Sequence, residues 1–307
     1  MTPPHFERVA MIGIGLINGS LAKVLKRDKL AGEIVASSRR EETLSRAKEL
    51  GIVDRTTTDP AEAVIGADLV VIGTPTGSSG TVAKAMASTL DRAAIVTDVG
   101  SIKGKVIEDV LPHLPFPGRF VPGHPVAGTE NSGPDAALDT LFAGRHCILT
   151  PLAETDADAL SAVKALWQAA GSRVSTMTAA HHDQVLAITS HLPHLIAYTI
   201  VGTVADLEDH LQTEVLRYSA GGFTDFTRIA GSDPVMWRDI FLHNKDAVLE
   251  MLGRFSEDLS ALQRAIRWGD GETLEALFTR TREIRRGVIA EGQAYQRAAS
   301  GSRLDED

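Results

Sequence analysis

Residues 11–20 read MIGIGLINGS, and this stretch decides the fold of the first half of the chain. It joins a short apolar run to a helical pattern. Gly13 permits a tight turn, and Gly15 lets the backbone approach a pyrophosphate at the N-terminus of a helix, where free N–H groups and the helix dipole attract anions. Asn18 stands where the G-x-G-x-x-G pattern has its third glycine. The stretch predicts a dinucleotide-binding turn, and a tight turn without a ligand is the alternative.

Outward from this turn, the first half of the chain alternates short apolar runs with helical patterns. Near-continuous apolar strands separated by helices predict a parallel sheet that is covered on both faces. We therefore assign residues 1–177 to a doubly wound, Rossmann-type α/β domain. The predicted strands are residues 8–12, 34–37, 69–73, 94–98, 120–122, 146–150 and 173–176, and the predicted helices are residues 19–27, 41–50 and 156–170.

The second half of the chain loses these strand signals, so we assign residues 178–307 to an all-helical domain. Its predicted helices are long, and their apolar faces are too extensive for one small domain to bury. We therefore expect a homodimer formed through this helical, C-terminal dimerisation domain. The predicted helices are residues 180–207, 211–220, 234–268 and 271–297, and residues 221–234 are predicted to form a loop.

The composition excludes several classes of protein. The chain has 307 residues and a formal net charge of −9, so it lacks the basic footprint that binding to nucleic acid or to a membrane surface needs. Its single cysteine, Cys147, excludes internal disulfides and cysteine-rich metal sites. We expect neither a signal peptide nor a membrane helix, because no stretch approaches about 20 consecutive apolar residues. These features predict a globular protein of the cytoplasm.

The end of the second predicted strand bears on the choice of cofactor. An NAD enzyme usually has an acidic residue there for the ribose 2′-hydroxyl. Here residues 35–40 read VASSRR. Ser38 can donate to a 2′-phosphate, Arg39 and Arg40 can neutralise it, and Thr43 can add a hydroxyl contact one helical turn further on. The sequence favours NADP, with NAD as the alternative.

Four further segments carry the polar residues of a candidate active site. TDVGSIK (residues 97–103) and GHPVAGTENSG (123–133) follow predicted strands, whereas SHLPH (190–194) and GGFTDFTRIAGSDPVMW (221–237) lie in the helical half. Together with GIGLI near the start, these motifs resemble the prephenate/arogenate (cyclohexadienyl) dehydrogenase family of tyrosine biosynthesis. The resemblance extends over about residues 8 to 290. It implies oxidative decarboxylation of prephenate to 4-hydroxyphenylpyruvate, of arogenate to tyrosine, or of both.

The resemblance also implies a role for each matching residue. His124 matches the base that takes the proton of the substrate hydroxyl, and Ser101 matches the serine that hydrogen-bonds both the histidine and this hydroxyl. Arg228 matches the arginine that binds a substrate carboxylate, and His194 a histidine that contacts the substrate. The remaining candidates are Glu130, Thr129 and Trp237 for the substrate and Gly13, Gly15, Leu16, Ile17, Ser38, Arg39, Arg40, Thr43 and Thr74 for the cofactor.

Other polar residues near these motifs have more than one interpretation. His191 either contacts the substrate or only shapes the cavity, and Asp225 either orients Arg228 or caps the next segment. Lys103 is expected to reach the cofactor or a loop carbonyl. The run of residues 181–183, HHD, is assigned to a helix start rather than to a metal site, because adjacent side chains diverge on a helix and hydride transfer needs no metal.

Two other functions stay open at this point. One is a two-domain oxidoreductase of the β-hydroxyacid type, which relies on a lysine base in its helical half; Lys245 is the nearest candidate. The other is a non-catalytic sensor that binds a dinucleotide and a ligand. The presence of Ser101, His124 and Arg228 together argues against a sensor, because a sensor needs no proton acceptor.

Overall fold

The computed structural model describes residues 4–207, 214, 217–218 and 221–301, without the side chains of residues 290–301. The chain forms two compact units, Met1–Val248 and Leu249–Asp307. The first unit contains all the strands of the described residues and the candidate site. The second contains most of the last two helices.

A six-stranded parallel sheet forms the centre of the first unit, in the order β3-β2-β1-β4-β5-β6. This order, in which the chain winds outward from β1 in both directions, confirms the predicted doubly wound fold. The short, polar strand β3 was not predicted. The strands of this sheet are β1 (Phe6–Ile12), β2 (Ala31–Ser37), β3 (Arg55–Thr57), β4 (Leu69–Ile72), β5 (Ile95–Asp98) and β6 (Phe120–Val121).

Alternate residues of the central strands enter two separate cores. Val9 and Met11 of β1 belong to one apolar cluster, and Ala10 and Ile12 belong to the other. Because successive side chains of a strand point to opposite faces, both faces of the sheet are covered by helices. The helices around this sheet are α1 (Leu16–Arg27), α2 (Glu41–Glu49), α3 (Pro60–Ala63), α4 (Ser79–Met86), α5 (Gly104–Val110) and α6 (Ala157–Ala169).

A second, three-stranded sheet departs from the prediction of a single sheet. It consists of β7 (Gly123–Pro125), β8 (His146–Leu149) and β9 (Arg173–Thr176), with β7 antiparallel to β8 and β8 parallel to β9. Pro122 separates β6 from β7 and has no N–H to continue the ladder, which explains why the chain leaves the first sheet there. The segment that follows the predicted strand 120–122 therefore begins with a further strand, and His124 lies on it.

The glycine turn connects β1 to α1 close to the end of β4. Gly13 has φ +88°, and a Cβ at this position would lie 2.7 Å from the carbonyl oxygen of Gly73, so only glycine fits. Asn18 is buried, and its side-chain amide donates to the carbonyl oxygens of Gly13 at 2.8 Å and Val71 at 3.1 Å. Asn18, which stands in place of the third glycine of the G-x-G-x-x-G pattern, thus links the glycine turn to β4.

The first long helix of the second half contains an irregular turn. Helix α7 (Ala179–Leu186) continues through a π-helical turn, Ala187–His191, into α8 (Leu192–Ala205). Pro193 lies in the first turn of α8, where its missing N–H is tolerated. π-Helical turns insert one extra residue and are frequent at functional sites.

This run corrects one expectation about membranes. Within the described residues, Ala179–Ala205 is 27 residues long and apolar enough to cross a membrane, so the statement that no stretch approaches this length was wrong. The run also carries the buried polar residues His182, Asp183 and His191. Core helices of proteins that do not enter membranes meet the same criterion of length and composition.

The remaining helices differ from the prediction in two places. Residues 221–231, expected to be a loop, form α9 (Gly221–Thr227) and a 3₁₀ turn, Arg228–Gly231. The helix predicted over residues 234–268 is divided at Asn244 into α10 (Pro234–His243) and α11 (Lys245–Trp268). The last helix, α12 (Gly271–Gly301), agrees with the prediction. The helix predicted over residues 211–220 lies mostly outside the described residues.

We predict that Asn18→Ala lowers the free energy of unfolding by about 1–3 kcal/mol, because it removes two hydrogen bonds and leaves buried carbonyl oxygens without a donor. Chemical denaturation measures this difference. Asn131→Ala is the matched control, because Asn131 is exposed. An equal, small loss in both variants would show that the Asn18 amide does not stabilise the turn.

Candidate active site

The carboxylate of Asp98 connects the segment that carries Ser101 to the strand that carries His124. It lies at the end of β5 and accepts hydrogen bonds from the backbone N–H groups of Gly100 at 2.8 Å and Gly123 at 3.1 Å. Because these two backbone segments share one acceptor, the half-buried Ser101 and the buried His124 are held at the same edge of the sheet. The structure thus brings the TDVGSIK segment (residues 97–103) and the GHPVAGTENSG segment (residues 123–133) together.

Lys103 is fully buried and forms an ion pair with Asp98. Its ammonium also donates to the carbonyl oxygen of Gly123 at 2.6 Å, so it reaches a backbone carbonyl as expected, although Gly123 begins strand β7 and does not lie in a loop. Burial lowers the pKa of Lys103, while the Asp98 carboxylate opposes this shift. An ammonium that is occupied by Asp98 and Gly123 is a structural link rather than a free base.

The carboxylate of Asp183 caps the N-terminus of α5. Its Oδ1 accepts from the backbone N–H of Lys103 and its Oδ2 from that of Gly104, each at 2.8 Å. Burial alone raises the pKa of Asp183, but the hydrogen bonds from His182 and these two N–H groups outweigh burial and lower the pKa below its ordinary value. Asp183 is therefore an ionised carboxylate at the positive end of a helix.

A chain of hydrogen bonds leads from this carboxylate to His124. Nδ1 of His182 lies 2.7 Å from Oδ1 of Asp183, and Nε2 of His182 lies 2.8 Å from Nδ1 of His124. Of the three residues, His182 is entirely inaccessible to solvent, and His124 is 7% exposed. The two imidazole rings meet edge to face, with centroids 5.1 Å apart.

The protonation state of His124 suits a proton acceptor. Burial lowers its pKa well below 6.5, and the nearby His182, Lys103 and His191 lower it further. The imidazole is therefore neutral at pH 7, as a general base must be before it takes a proton.

His191, His194 and Trp237 form an aromatic cluster beside this chain. The His194 ring stacks on Trp237 with centroids 3.7 Å apart, and the His191 ring meets the same indole edge-on at 6.0 Å. Nδ1 of His194 lies 2.8 Å from the carbonyl oxygen of Ser190, so Nδ1 donates and Nε2 is left as an acceptor. The indole N–H of Trp237 is buried and has no acceptor within the described part of the chain. The cluster thus offers one acceptor and one donor to a polar ligand.

Asn244, at the break between α10 and α11, fixes His191. Its side-chain amide donates to the carbonyl oxygen of Asp183 at 2.9 Å and lies 3.1 Å from Nδ1 of His191. Burial lowers the pKa of His191 to about 4, so this ring is neutral and Nδ1 accepts the hydrogen bond. His191 is held within the protein by Asn244, which favours the interpretation that it shapes the cavity.

Arg228 and Glu130 are brought together at the surface. The guanidinium of Arg228 donates to a carboxylate oxygen of Glu130 at 3.3 Å, and the Arg228 side chain is 62% exposed. Thr129 lies next to Glu130 and is exposed, and its hydroxyl accepts from the backbone N–H of Asn131 at 3.2 Å. Asp225, considered as a residue that orients Arg228, is also exposed. The carboxylate that contacts Arg228 is that of Glu130.

The candidate cofactor residues of the glycine turn fit a pyrophosphate. Gly15 precedes α1, no side chain caps this helix, and a Cβ at Gly15 would meet nothing within 4 Å. The N–H groups of the first turn, which includes Leu16 and Ile17, are thus open to an anion. The hydroxyl of Thr74 is buried near Gly13 and has no partner within the described residues. An uncapped helix with space in front of it and an orphaned hydroxyl nearby suits a bound dinucleotide.

The residues expected to bind a 2′-phosphate follow β2 directly. The backbone N–H of Gly13 donates to the carbonyl oxygen of Ser37 at 2.7 Å, which places the glycine turn next to this strand end. Arg39 and Arg40 are exposed, and within the described residues neither forms an ion pair. Ser38 and Thr43 are half-buried.

Four residues of this site were not among the candidates from the sequence: Asp98, His182, Asp183 and Asn244. The assignment of the HHD run to a helix start was correct, because α7 begins at Ala179, but it did not predict the hydrogen bonds that His182 and Asp183 form. Adjacent side chains do diverge on a helix, yet the side chains of His182 and Asp183 are hydrogen-bonded to each other, and both are buried. A usable signal was that they share a helix face with Leu186 and Ala187, where a charged residue is rarely buried without a partner.

Two family models match most of the chain. Residues 21–176 match the nucleotide-binding domain of prephenate dehydrogenase, and residues 178–280 match its dimerization domain. A cyclohexadienyl dehydrogenase of Zymomonas mobilis is 42% identical over 91% of this chain and 95% of its own length.

Solved structures agree with these matches. Prephenate dehydrogenase of Aquifex aeolicus, in complex with hydroxyphenyl propionate and NAD+, has a TM-score of 0.84 and 38% identity, and the match covers 92% of this chain and 98% of that one. Arogenate dehydrogenase of Synechocystis has a TM-score of 0.77 and 28% identity, over 92% and 99% of the two chains. From the motifs, the geometry and these similarities together, the chain belongs to the prephenate dehydrogenase family.

Proposed function

We propose that this protein catalyses the NAD(P)+-dependent oxidative decarboxylation of prephenate to 4-hydroxyphenylpyruvate, of arogenate to tyrosine, or of both. The observation that carries this proposal is the neutral, buried His124 at the sheet edge where the glycine turn also lies. Bound NADP+ or NAD+ supplies the acceptor for the hydride that leaves the hydroxyl-bearing ring carbon. His124 takes the proton of that hydroxyl as the carbonyl forms, and aromatisation of the ring then drives loss of the C1 carboxylate as CO2.

The surrounding residues position the substrate. We propose that Ser101 hydrogen-bonds the substrate hydroxyl and that Arg228 binds a substrate carboxylate. The exposed ion pair between Arg228 and Glu130 is worth at most about 1 kcal/mol, so a substrate carboxylate can replace Glu130 on the guanidinium. His194 and Trp237 line the other side of the site, with the acceptor and the donor described above.

We propose NADP as the preferred cofactor, with NAD also accepted. The support is electrostatic: β2 is followed by Ser38 and by two exposed arginines instead of the carboxylate that would bind a ribose 2′-hydroxyl and repel a 2′-phosphate. Gly13, Gly15, Leu16, Ile17 and Thr74 are proposed to hold the pyrophosphate side of the cofactor. The relative from Aquifex aeolicus was solved with NAD+, so a direct comparison of the two cofactors is the decisive measurement.

The alternative functions have less support. A β-hydroxyacid-type enzyme needs a free lysine, but Lys245 is exposed and Lys103 is occupied by Asp98. A non-catalytic sensor needs no neutral histidine held in a fixed orientation. Absorbance at 340 nm, with each substrate and each cofactor, separates the three functions. Turnover of prephenate or arogenate supports the proposal, and reduction of neither cofactor by either substrate contradicts it.

We propose that the protein is a homodimer formed through its helical half, residues 178–307. The matched dimerization domain supports this, as do large apolar side chains on α11 and α12 that are exposed in the single chain. Water-exposed apolar surface of this extent is typical of an interface. The exposed residues are Leu249, Leu259, Ile266, Trp268, Phe278, Ile284, Val288 and Ile289.

We expect His124→Asn to lower kcat by about 10²–10⁴-fold and to leave KM within a few-fold, because it removes the general base while the amide can still contact His182. Steady-state kinetics with the preferred substrate measures both constants. His181→Asn is the matched control, because His181 is adjacent to the chain of hydrogen bonds but exposed. An unchanged kcat, with chemistry shown to limit the rate, would contradict the role of His124.

Arg228→Ala is expected to raise KM far more than it lowers kcat, because it removes a charged contact worth about 1.5–3 kcal/mol, or roughly 10- to 150-fold in binding. The exposed Arg145 provides the control variant Arg145→Ala. A KM close to that of the control would show that Arg228 does not bind the substrate.

The cofactor proposal predicts that NADP binds about tenfold more tightly than NAD, which corresponds to about 1.4 kcal/mol. Arg39→Ala is expected to abolish most of this difference by weakening NADP alone, with Lys48→Ala on α2 as the control. Fluorescence titration of both cofactors with the wild type and the two variants measures the six affinities. Equal losses for NADP and NAD would mean that Arg39 supports the fold or the adenosine instead.

For the dimer, light scattering at micromolar concentration is expected to give twice the 32.8 kDa mass of the chain. Trp268→Glu should shift the protein toward the monomer, because it places a charge on an apolar surface. Lys164→Glu, on α6, is the control for the added negative charge. A wild-type mass of one chain would contradict the proposal.

A further inference from the structure

We propose that His182 is a positioning residue that holds His124 in the tautomer with the proton on Nδ1, so that Nε2 is unprotonated and faces the reaction, and that Asp183 fixes His182 in turn. This inference rests on the proposed role of His124 as the base. It gives the buried residues His182 and Asp183 a positioning role that needs no contact with the substrate.

The direction of each hydrogen bond follows from the Asp183 end of the chain. The Asp183 carboxylate is ionised and already accepts from two backbone N–H groups, so it has no proton to donate. Nδ1 of His182, 2.7 Å away, must therefore be the donor. An imidazole with its one proton on Nδ1 has a lone pair on Nε2, and Nε2 of His182 lies 2.8 Å from Nδ1 of His124.

The tautomer of His124 follows from the direction of the hydrogen bond to His182. Since Nε2 of His182 accepts, Nδ1 of His124 donates, and a neutral imidazole with its proton on Nδ1 has its second lone pair on Nε2. Without His182 the two tautomers of an imidazole are close in energy, and a fraction of His124 would carry its proton on the nitrogen that has to accept one. The hydrogen bond from His182 selects the reactive form before the substrate arrives.

The arrangement also suits the moment of proton transfer. When His124 accepts the hydroxyl proton it becomes an imidazolium, and its Nδ1–H continues to donate to His182. The negative charge of Asp183 lies one ring beyond, so it stabilises the new positive charge without receiving a proton itself. A carboxylate performs the corresponding task behind the histidine of a Ser-His-Asp triad; here a second imidazole is interposed.

Backbone contacts make this chain rigid. Asp183 is fixed by the N-terminus of α5, and its carbonyl oxygen accepts from the side chain of Asn244. A purely structural role would need only that the buried polar groups are satisfied, and a doubly protonated His182, which donates both to Asp183 and to Nδ1 of His124, would satisfy them equally. The two roles therefore differ in a measurable quantity, namely which nitrogen of His124 carries the proton.

The test combines NMR with two substitutions of one residue. In the wild-type holoenzyme labelled with ¹⁵N-histidine, long-range ¹H–¹⁵N correlation at pH 7 should show the His124 proton on Nδ1, with His124→Asn identifying the signals. His182→Gln retains an acceptor at the position of Nε2, whereas His182→Phe retains the ring shape without one. His181→Phe, on the exposed neighbouring residue, is the matched control.

We expect His182→Phe to lower kcat about 10- to 100-fold, less than the loss of His124 itself, with KM within a few-fold. His182→Gln should recover most of the lost kcat and keep the proton on Nδ1. In the pH profile of kcat, the midpoint of the decrease at acidic pH should shift in His182→Phe but not in His182→Gln. The other groups that act on the pKa of His124, Lys103 and His191, are unchanged in these variants. Asp98 contacts Lys103, Asp183 contacts His182, and Cys147 lies on the neighbouring strand β8, and these are unchanged as well.

Three results would overturn the inference. The first is a His124 proton on Nε2 in the wild-type protein, which would mean that His182 donates instead of accepting; this readout needs no substrate, and the His124→Asn variant serves only to assign the signals. The second is a folded His182→Phe variant, judged by circular dichroism, whose kcat equals that of His181→Phe. The third is a His182→Gln variant as impaired as the Phe variant. Failure of the wild type to oxidise either substrate would instead refute the proposed function and leave the tautomer measurement readable.

Discussion

The carboxylate of Asp183 is the point on which the site depends. Asp183 is the fifth residue of α7, and its carboxylate caps the N-terminus of α5 through two backbone N–H groups and hydrogen-bonds His182. A carboxylate at a helix N-terminus is stabilised by the helix dipole and by unpaired donors, so one buried charge is compensated without a cationic side chain. This single group joins the first helix of the helical half to the parallel-sheet domain and, through His182, connects to the imidazole of His124.

A second buried carboxylate has a similar task on the sheet side. Asp98 accepts from the backbone on both sides of the site and pairs with Lys103, so the Ser101 segment and the β7 strand cannot move apart without exposing a buried charge. Removing one partner of such a pair costs far more than the pair itself contributes, because the remaining charge stays unpaired. The segments that carry Ser101 and His124 are therefore held by backbone contacts, whereas the ion pair of Arg228 and Glu130 lies at the surface.

The helical half departs from regular geometry at the residues that serve this site. The π-helical turn Ala187–His191 and the break at Asn244 interrupt helices whose apolar pattern is continuous in sequence. The apolar periodicity predicted helices at both places but not their interruptions. Periodicity shows only which side chains are apolar, and not that the side-chain amide of Asn244 lies next to the backbone carbonyl of Asp183. Asn244 ends α10 in the position from which it contacts both His191 and Asp183. Likewise, the glycine and proline residues of 221–234 suggested a loop, although residues 221–231 are helical.

The sequence by itself determined the doubly wound domain, the glycine turn and the candidate residues carried by the motifs, because alternating apolar strands and helices fix the topology and parallel strands end at one edge. It did not determine the second sheet, in which His124 lies on β7 rather than in a loop, nor the role of Asn18, which replaces a glycine and binds β4. Only the tertiary structure decided the partners of His124. His182 and Asp183 lie 58 and 59 positions after it along the chain, and the hydrogen bonds that orient an imidazole depend on distances of a few tenths of an ångström that no local pattern encodes.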